Sequence, residues 1–448
     1  MSHNLIIAKF GGSSVADYIA MNHSADVVLS NPAIRLVVVS ASAGVTNQLL
    51  ILATSSNKQQ RLHVWADIIR IQHAILEWMP YQESIWSKIN DILGKIKILS
   101  GIAEFVTSAE LTDDLISCGE LMSSLLFVEV LRQRKMVVEW FDVRYVMRTN
   151  ACFGCAEPDT RILGDLVHQK LKPHLSEAII VTQGFIGQDK QGRTTTLGRG
   201  GSDYTAAILG EALQVKRIDI WTDVSGIYTI DPHLVPSAKR INEITFSEAA
   251  IMAVFGAKVL HPGTLLPAVR SDISIFIGSS KNPTAGGTIV SGKNNNLPIF
   301  RALTLRRKQM LLTLHSITSF SRSFLDRVFK TCLHHNVSTE LIMISKVSVS
   351  LIIDVSHSST TITNLLLSSL LSELSSFCIL QVEENLALVA IIGNSVFPIH
   401  SVSQEVLRLL GFVNLRICCY GNQFIFCLLV HDHHAEKIIT ILHRKIFE

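Results

Sequence analysis

Charge is scarce in this 448-residue sequence: Asp, Glu, Lys and Arg make up 17% of it, and the formal net charge is only +3. No basic stripe appears, so the electrostatic footprint of a nucleic-acid binder is missing. Mean hydropathy is positive, yet no apolar run reaches membrane-spanning length, because Lys, Asp and Ser break the Leu/Ile/Val stretches. The opening residues Met1–Lys9 lack the basic n-region of a secretory signal and lead straight into a strand pattern. The eight cysteines are scattered. Cys152-x-x-Cys155 has no partner pair at zinc spacing and reads as incidental, and reduced core thiols fit a cytoplasmic protein. His431, His433 and His434 read as a solvated strand end rather than a metal tract. Hydrophobic residues are plentiful at 48%, enough to fill the cores of two to three domains.

One stretch organises the rest. Thr194, Thr195 and Thr196 lead into Gly198-Arg199-Gly200-Gly201-Ser202-Asp203, and an apolar helical run follows from Tyr204. Glycines ahead of a helix let backbone N–H groups approach a ligand, and the helix N-terminus favours phosphate or carboxylate. Arg199 can clamp a carboxylate with two parallel hydrogen bonds. Asp203, an acid inside an anion site, organises a metal or cationic side chains. A plain surface turn with a helix capped by Ser202 fits the same residues, and the loop alone leaves both readings open. A second such loop occurs at the N-terminus. Strand Leu5–Phe10 ends in Lys9-Phe10-Gly11-Gly12-Ser13-Ser14, a lysine beside a Gly-Gly turn, which suits phosphate handling without being a Walker A loop.

A second buried-type strand, Ile34–Val39, runs into the small residues Ser40 to Asn47, so two βα units predict a parallel sheet. Residues 57–110 have helical spacing and no evident chemistry, and Thr112–Leu131 is a further helix. Glu120 lies among small residues there, either on a solvated face or as a ligand for an ammonium group. Strands are expected at Val137–Phe141, Ala178–Gln183, from Ile218 to an end in Thr222-Asp223, and at Ile273–Ile277, with a helix over Glu248–Phe255. The polar run Gly292 to Pro298 marks a domain boundary. Beyond it the order strand, helix, strand, strand, helix occurs twice. The first copy is Met310–Leu314, Phe324–His334, Thr339–Ile344, Val347–Asp354 and Asn364–Leu374. The second is Leu386–Ile392, Val402–Leu410, Val413–Cys418, Phe424–His431 and Ala435–Arg444.

Four motifs now stand in order: Lys9 to Val15, Ser40 to Asn47, Gly198 to Asp203, and Trp221-Thr222-Asp223-Val224-Ser225-Gly226-Ile227-Tyr228. Together they resemble the aspartokinase signatures, and the resemblance runs over essentially the whole chain, most like the monofunctional, lysine-sensitive type. No second Gly-x-Gly-x-x-Gly unit follows, so no fused homoserine dehydrogenase is expected. The resemblance implies a three-layer α/β amino-acid-kinase fold with a mainly parallel central sheet over residues 1–295. A C-terminal α+β regulatory module over 299–448 would hold two ferredoxin-like ACT units, about 305–380 and 384–448, in tandem or interlaced. It implies transfer of the γ-phosphate of Mg·ATP to the side-chain carboxylate of L-aspartate, giving 4-phospho-L-aspartate and ADP. That is the first step towards lysine through diaminopimelate, and towards threonine and methionine.

Carried over by position, Lys9 would hold the transferring phosphoryl group and Asp203 would orient the cationic groups or the metal. Arg199 would clamp the α-carboxylate, Glu120 would take the α-ammonium, and Thr46 and Ser202 would fix the remaining oxygens. Lys9, Gly11, Gly12, Ser40, Thr222, Asp223, Tyr228, His233 and Lys258 would serve ATP, with Mg bound through the nucleotide and no metal held confidently by a side chain. The acceptor carboxylate is already ionised at neutral pH and needs no general base.

Departures from the family pattern carry information too. His233 stands where an arginine is usual after Asp231-Pro232, which predicts weaker ATP binding; Ser13 for the usual Thr is conservative. The lysine-responsive segments read Ser321-Arg322-Ser323-Phe324-Leu325 and Ser338-Thr339-Glu340-Leu341-Ile342-Met343-Ile344-Ser345-Lys346-Val347-Ser348. Ser323 replaces a glycine, Ile344 removes a hydroxyl, and Lys346 brings a cation towards a site meant for a cationic effector. Lysine inhibition is therefore expected to be weak or lost, although Glu340 keeps one carboxylate. A homodimer through the regulatory module, or a tetramer, is expected. Two rivals remain at this point: a kinase for glutamate or a related acid on the same fold, and a catalytically dead amino-acid sensor.

Overall fold

The computed structural model describes residues 5–80, 83–103, 108–256, 260, 262–292, 298–317, 321–335, 337, 339–355, 361–394, 404, 406, 408–411, 415–422 and 425–448. The chain divides into two compact units. One comprises Met1–Ile227, Arg240–Ala253 and Lys258–Asn295, and the other Tyr228–Lys239, Val254–Ala257 and Asn296–Glu448.

The first unit is built on strands β1 (Ile6–Phe10), β2 (Ile34–Val39), β3 (Val138–Phe141), β4 (Ile179–Gln183), β5 (Ile186–Gln188), β6 (Thr194–Thr196) and β7 (Arg217–Thr222). Its later strands are β9 (Arg240–Ile241), β10 (Glu243–Thr245), β11 (Ser274–Ser279) and β12 (Gly287–Ser291), and the first residue of the two-residue β8 (Ile227–Tyr228) also belongs to it. Eight of these form one sheet in the order β10-β12-β11-β7-β1-β2-β4-β3, parallel throughout except for the β11–β12 pair. Central strands buried on both faces read as near-continuous apolar runs, as Leu36-Val37-Val38-Val39 does in β2 after the half-buried Arg35.

Side chains alternate across the sheet. Ala8, Phe10, Val37 and Val39 enter the core under α1 (Tyr18–Ser30), α2 (Val45–Thr54), α3 (Lys58–Glu77), α4 (Glu83–Ala103) and α5 (Ala109–Gln133). Helix α6 (Thr160–Leu166) is short, and α7 (Gly201–Leu213) packs on β1, β2 and β7 and against α9 (Pro262–Arg270); α8 is Phe246–Val254. Helices on both faces of a mainly parallel sheet make the expected three-layer α/β architecture. The stretch 57–110, expected to be helical, holds α3 and α4, and α5 is longer at both ends than Thr112–Leu131, opening on Ser108 as N-cap.

In the second unit, β13 (Phe300–Ser316), β14 (Thr339–Ile344), β15 (Ser348–Asp354), β16 (Cys378–Gly393), β17 (Ile417–Asn422) and β18 (Ile425–His431) form an antiparallel sheet. Its order is β14-β15-β13-β16-β18-β17. Helices α10 (Arg322–His334), α11 (Thr361–Ser375) and α12 (Asp432–Phe447) accompany it.

The strands expected at Met310–Leu314 and Leu386–Ile392 prove to be halves of the long β13 and β16, which pair with each other along their length. The basic run Arg306-Arg307-Lys308 disguised this. Arg306 is neutralised by Asp354 at 2.7 Å and Arg307 by Asp432 at 3.1 Å, so charge passes through the middle of a strand. The two halves of β13 serve different cores. Leu303 lies with Val389, Phe426 and Leu442, whereas Met310, Leu312 and Leu314 lie with Val328, Leu351 and Leu370. Within the second copy's expected helix Val402–Leu410, positions 404, 406, 408 and 409 are helical and Val406 and Leu410 are buried in the core; positions 402, 403, 405 and 407, and most of the boundary run Gly292 to Pro298, fall outside the described residues. Among the described residues no helix is long and apolar enough to cross a membrane.

Candidate active site

The carboxyl ends of parallel strands are where ligands of open α/β sheets bind. There β1 delivers Lys9, and the turns after β1, β2 and β4 are laced together by backbone bonds. Ser40 N–H donates to the Phe10 carbonyl at 3.1 Å, Ala43 N–H to Gly12 at 3.1 Å, and Gly184 N–H to Val39 at 2.9 Å. A cavity of about 520 Å³ opens at this edge. It is lined by Lys9, Ser40, Thr46, Asp113, Glu120, Gly154, Phe185, Thr196 and the whole run Gly198 to Asp203, among others.

Helix α7 starts at this cavity. Its N-cap is Gly200, at φ +70, a left-handed conformation that a side-chain-bearing residue adopts only at a cost. Ser202 is therefore not the cap; it sits inside the first turn, buried beside the cavity, and the helix begins three residues before Tyr204. Asp203 follows in the same turn and its Oδ1 meets Lys9 Nζ at 2.6 Å, with both side chains largely buried. A cation and an anion are thus held face to face at a helix N-terminus, where the backbone adds positive potential. Arg199 is exposed at the rim, and Thr46 lies half-buried in the first turn of α2.

Across the cavity α5 presents two carboxylates seven residues apart, hence on one face. Asp113 is fully satisfied: Oδ2 accepts from Gly154 N–H at 2.9 Å and Thr196 N–H at 2.8 Å, and Oδ1 from the Thr196 hydroxyl at 2.8 Å. Burial outweighs these bonds and raises its pKa. Glu120 is only half satisfied. Oε1 accepts from Ala41 N–H at 3.1 Å, while Oε2 is buried with no protein partner. Burial pushes its pKa up to about 8, against the pull of the Ala41 N–H and of Lys9. Ser123 Oγ braces the same turn by donating to the Ser40 carbonyl at 2.7 Å.

The pattern of the amino acid kinase family matches residues 4–279. Lysine-sensitive aspartokinase 3 of Escherichia coli is 54% identical to this chain, covering 99% of each. The aspartokinase of Chlamydia pneumoniae is 30% identical over 98% of this chain and 97% of its own length. The crystal structure of E. coli aspartokinase III with aspartate and ADP matches at TM-score 0.91, covering 99% of this chain and 100% of that one. The structure of the same enzyme with lysine and aspartate matches at 0.84. The chain belongs to the aspartokinases.

In this aspartokinase Lys9, Ser40, Thr46, Glu120, Arg199, Ser202 and Asp203 share the one cavity. Gly11 and Gly12 open the adjoining turn, where Gly11 N–H donates to the Trp221 carbonyl at 3.0 Å. Thr222 closes β7 and its hydroxyl donates to Asp223 Oδ1 at 3.1 Å; neither residue lines the cavity. Tyr228 and His233 belong to the second unit, where His233 N–H donates to Asp231 Oδ1 at 2.9 Å. Lys258 lies outside the described residues.

Of the expected effector residues, Ser321 caps α10 by accepting from Phe324 N–H at 3.4 Å, and its hydroxyl lies 2.8 Å from that of Ser323. Phe324 is buried edge-to-face with Phe377, and Leu325 packs against the same core. Thr339 opens β14, Ile344 is 54% exposed at its end, Ser345 bonds to Ser348, and Lys346 is exposed. Ser338 and the Glu340 side chain lie outside the described residues. Sequence reasoning passed over Asp113, Gly154 and Phe185. The available signal was the seven-residue spacing of Asp113 from Glu120, which places both on one helix face.

Proposed function

We propose that this aspartokinase transfers the γ-phosphate of Mg·ATP directly to the side-chain carboxylate of L-aspartate, with the two ends of the cavity dividing the work. One observation carries the reading: a Lys9–Asp203 pair at 2.6 Å faces, within one cavity, a buried Glu120 oxygen that no protein donor satisfies. A buried acceptor left open costs about 1–3 kcal/mol, a cost that an incoming donor removes. The α-ammonium of aspartate is such a donor, and Arg199 at the rim suits the α-carboxylate. Thr46 and Ser202 fix the remaining oxygens.

Lys9, pre-aligned by Asp203, stabilises charge on the transferring phosphoryl group. Charge stabilisation and positioning are the bulk of what phosphoryl transfer demands. Magnesium is a hard cation bound through phosphate and carboxylate oxygens, and Asp203 is the carboxylate on this side of the cavity. When bound with ATP it would neutralise phosphate charge. Gly11, Gly12, Ser40, Thr222, Asp223, Tyr228, His233 and Lys258 are assigned to the nucleotide, with His233 giving a weaker contact than the family's arginine.

The catalytic domain is assigned to residues 1–295 and the regulatory domain, with two ACT-like units, to 299–448; through the latter two chains would pair as a homodimer, or assemble further into a tetramer. A cytoplasmic place at the head of lysine, threonine and methionine synthesis follows from the same reading. Lysine is proposed to inhibit weakly: the polar groups of the Ser321–Ser323 turn are spent on one another, and Lys346 is exposed near the strand that carries Glu340. The test is ADP release from Mg·ATP with aspartate, run against glutamate and titrated with lysine beside the lysine-sensitive E. coli relative. Aspartate-dependent ADP release that exceeds the glutamate rate supports the reading. Release with neither amino acid sinks it, and half-maximal inhibition at sub-millimolar lysine sinks the effector proposal alone.

A further inference from the structure

The turn that begins at Thr149 and returns at Pro158 carries two thiols that phosphoryl transfer does not use. The sulfurs of Cys152 and Cys155 are 2.9 Å apart, and both residues are exposed. The turn holds them there. Asn150 Oδ1 accepts from Cys152 N–H at 3.2 Å and from Glu157 N–H at 3.0 Å, and Cys155 N–H donates to the Cys152 carbonyl at 3.1 Å. Between the thiols stands Gly154, at φ +83, a conformation that favours glycine. Its N–H donates to Asp113 at 2.9 Å, and it lines the cavity. Its carbonyl lies so near the glycine-rich loop that a Cβ on Gly198 would come within 3.2 Å of it.

We propose that Cys152 and Cys155 form a reversible disulfide that weakens aspartate binding, a claim resting on the reading of this cavity as the aspartate site. The hydrogen bond to Cys152, and then burial, push the Cys155 thiol up, which suits Cys155 to the second, resolving step and assigns the first attack to Cys152. The oxidant is a small-molecule disulfide of the glutathione type. The Cys152 thiolate attacks one of its sulfurs and expels one thiolate, leaving a mixed disulfide. Cys155, on losing its proton, attacks the Cys152 sulfur and expels the second. Two protein thiols thus become one disulfide, and the oxidant leaves as two thiols, taking up the two electrons and two protons.

A disulfide bond is about 2.05 Å long, so the sulfurs must close by roughly 0.9 Å across a four-residue ring that contains Gly154. That movement falls on the backbone that Asp113 anchors and that rests against Gly198. A displacement of about 1 Å in a positioning group costs up to roughly 10²-fold in function.

The full-length reduced protein is treated with oxidised glutathione, freed of oxidant, and assayed by intact mass, peptide mapping and steady-state kinetics. The expected result is a loss of about 2 Da mapped to Cys152 and Cys155, with the KM for aspartate raised roughly 3- to 30-fold, the KM for ATP unchanged, and reversal by dithiothreitol. The double variant Cys152→Ser/Cys155→Ser keeps basal activity and shows no response to oxidation. Thiols at 152 and 155 that remain alkylatable after oxidation overturn the proposal. So does a mapped disulfide with an unaltered aspartate KM, or the same oxidative response in the double variant. Absence of aspartate turnover in the reduced protein would instead sink the functional reading, and the mass measurement still reports on the thiol pair.

Discussion

Aspartate binding should expel a proton, and Glu120 sets how much. With its pKa pushed to about 8, Glu120 is about nine-tenths protonated at pH 7 in the unliganded enzyme. An ammonium in hydrogen-bonding reach of Oε2 favours the ionised form and lowers a carboxyl pKa by about 1–3. Between those limits the bound enzyme releases about 0.4–0.9 proton per aspartate at pH 7. The same linkage makes the unliganded form a progressively better binder as pH rises. A fall of about 2 in the pKa on binding tightens aspartate roughly 25-fold between pH 6 and pH 8, levelling above pH 8. Isothermal titration of aspartate into the enzyme at pH 7, in two buffers of different ionisation enthalpy, reads the proton count directly. In Glu120→Gln the release disappears, and aspartate weakens by roughly 10- to 100-fold because a charge-assisted bond worth about 1.5–3 kcal/mol is gone. Identical heats in the two buffers would refute the argument, since Glu120 would then be ionised already or would not meet the ammonium.

Other expectations follow from the same geometry. Lys9→Ala should lower kcat by roughly 10²–10³ while circular dichroism still reports a folded chain; near-normal turnover would remove Lys9 from the transfer step. Asp113→Ala removes the oxygen that accepts from both the Gly154 and Thr196 N–H groups, so the aspartate KM should rise more than kcat falls, and equal KM values would make Asp113 a purely structural acid. Because the folded pKa of Glu120 lies above its unfolded value, its contribution to unliganded stability is complete below about pH 4.5 and is lost as pH rises through about 8, at up to about 1.4 kcal/mol per pH unit. Denaturation midpoints measured across that window should therefore slope down less in Glu120→Gln than in the parent; parallel curves would contradict the assignment. His233→Arg should lower the KM for ATP, and an unchanged value would exclude a nucleotide contact at that position.

The first unit was legible because its signals are local. A strand such as Ile34–Val39 is apolar at every position but Arg35, and the glycine-rich turns follow directly in the chain, so strand, turn and ligand-facing residues share a window of about a dozen positions. Lys9 and Asp203 were each visible as site residues, but their pairing at 2.6 Å was not, since it joins β1 to α7 across 194 positions. The second unit misled for the opposite reason. Its sheet lets one strand serve two cores, and the residues at the crossover are Arg306, Arg307 and Lys308, a charged run that conceals the strand's continuity until Asp354 and Asp432 supply the opposite charges. Hydrophobic periodicity cannot register a charge that is cancelled by a partner from a distant segment.

The same limit separates the two acids of α5. By residue type and setting, Asp113 and Glu120 are alike: carboxylates on one face of a helix, each buried and each with its pKa raised. Only the count of donors distinguishes them. Asp113 accepts three bonds from the walls of the cavity and so builds the site, because removing it would release Gly154 and Thr196 together. Glu120 accepts one on Oε1 and keeps Oε2 open, at a cost in solvation that the folded chain does not recover until a ligand donates to it. An acid that is fully paired stabilises a shape, and an acid left half paired selects a cation. On the proposed role of Glu120, Glu120→Gln should therefore narrow the preference for an amino acid over a simple dicarboxylate, and an unchanged preference in competition assays would contradict it.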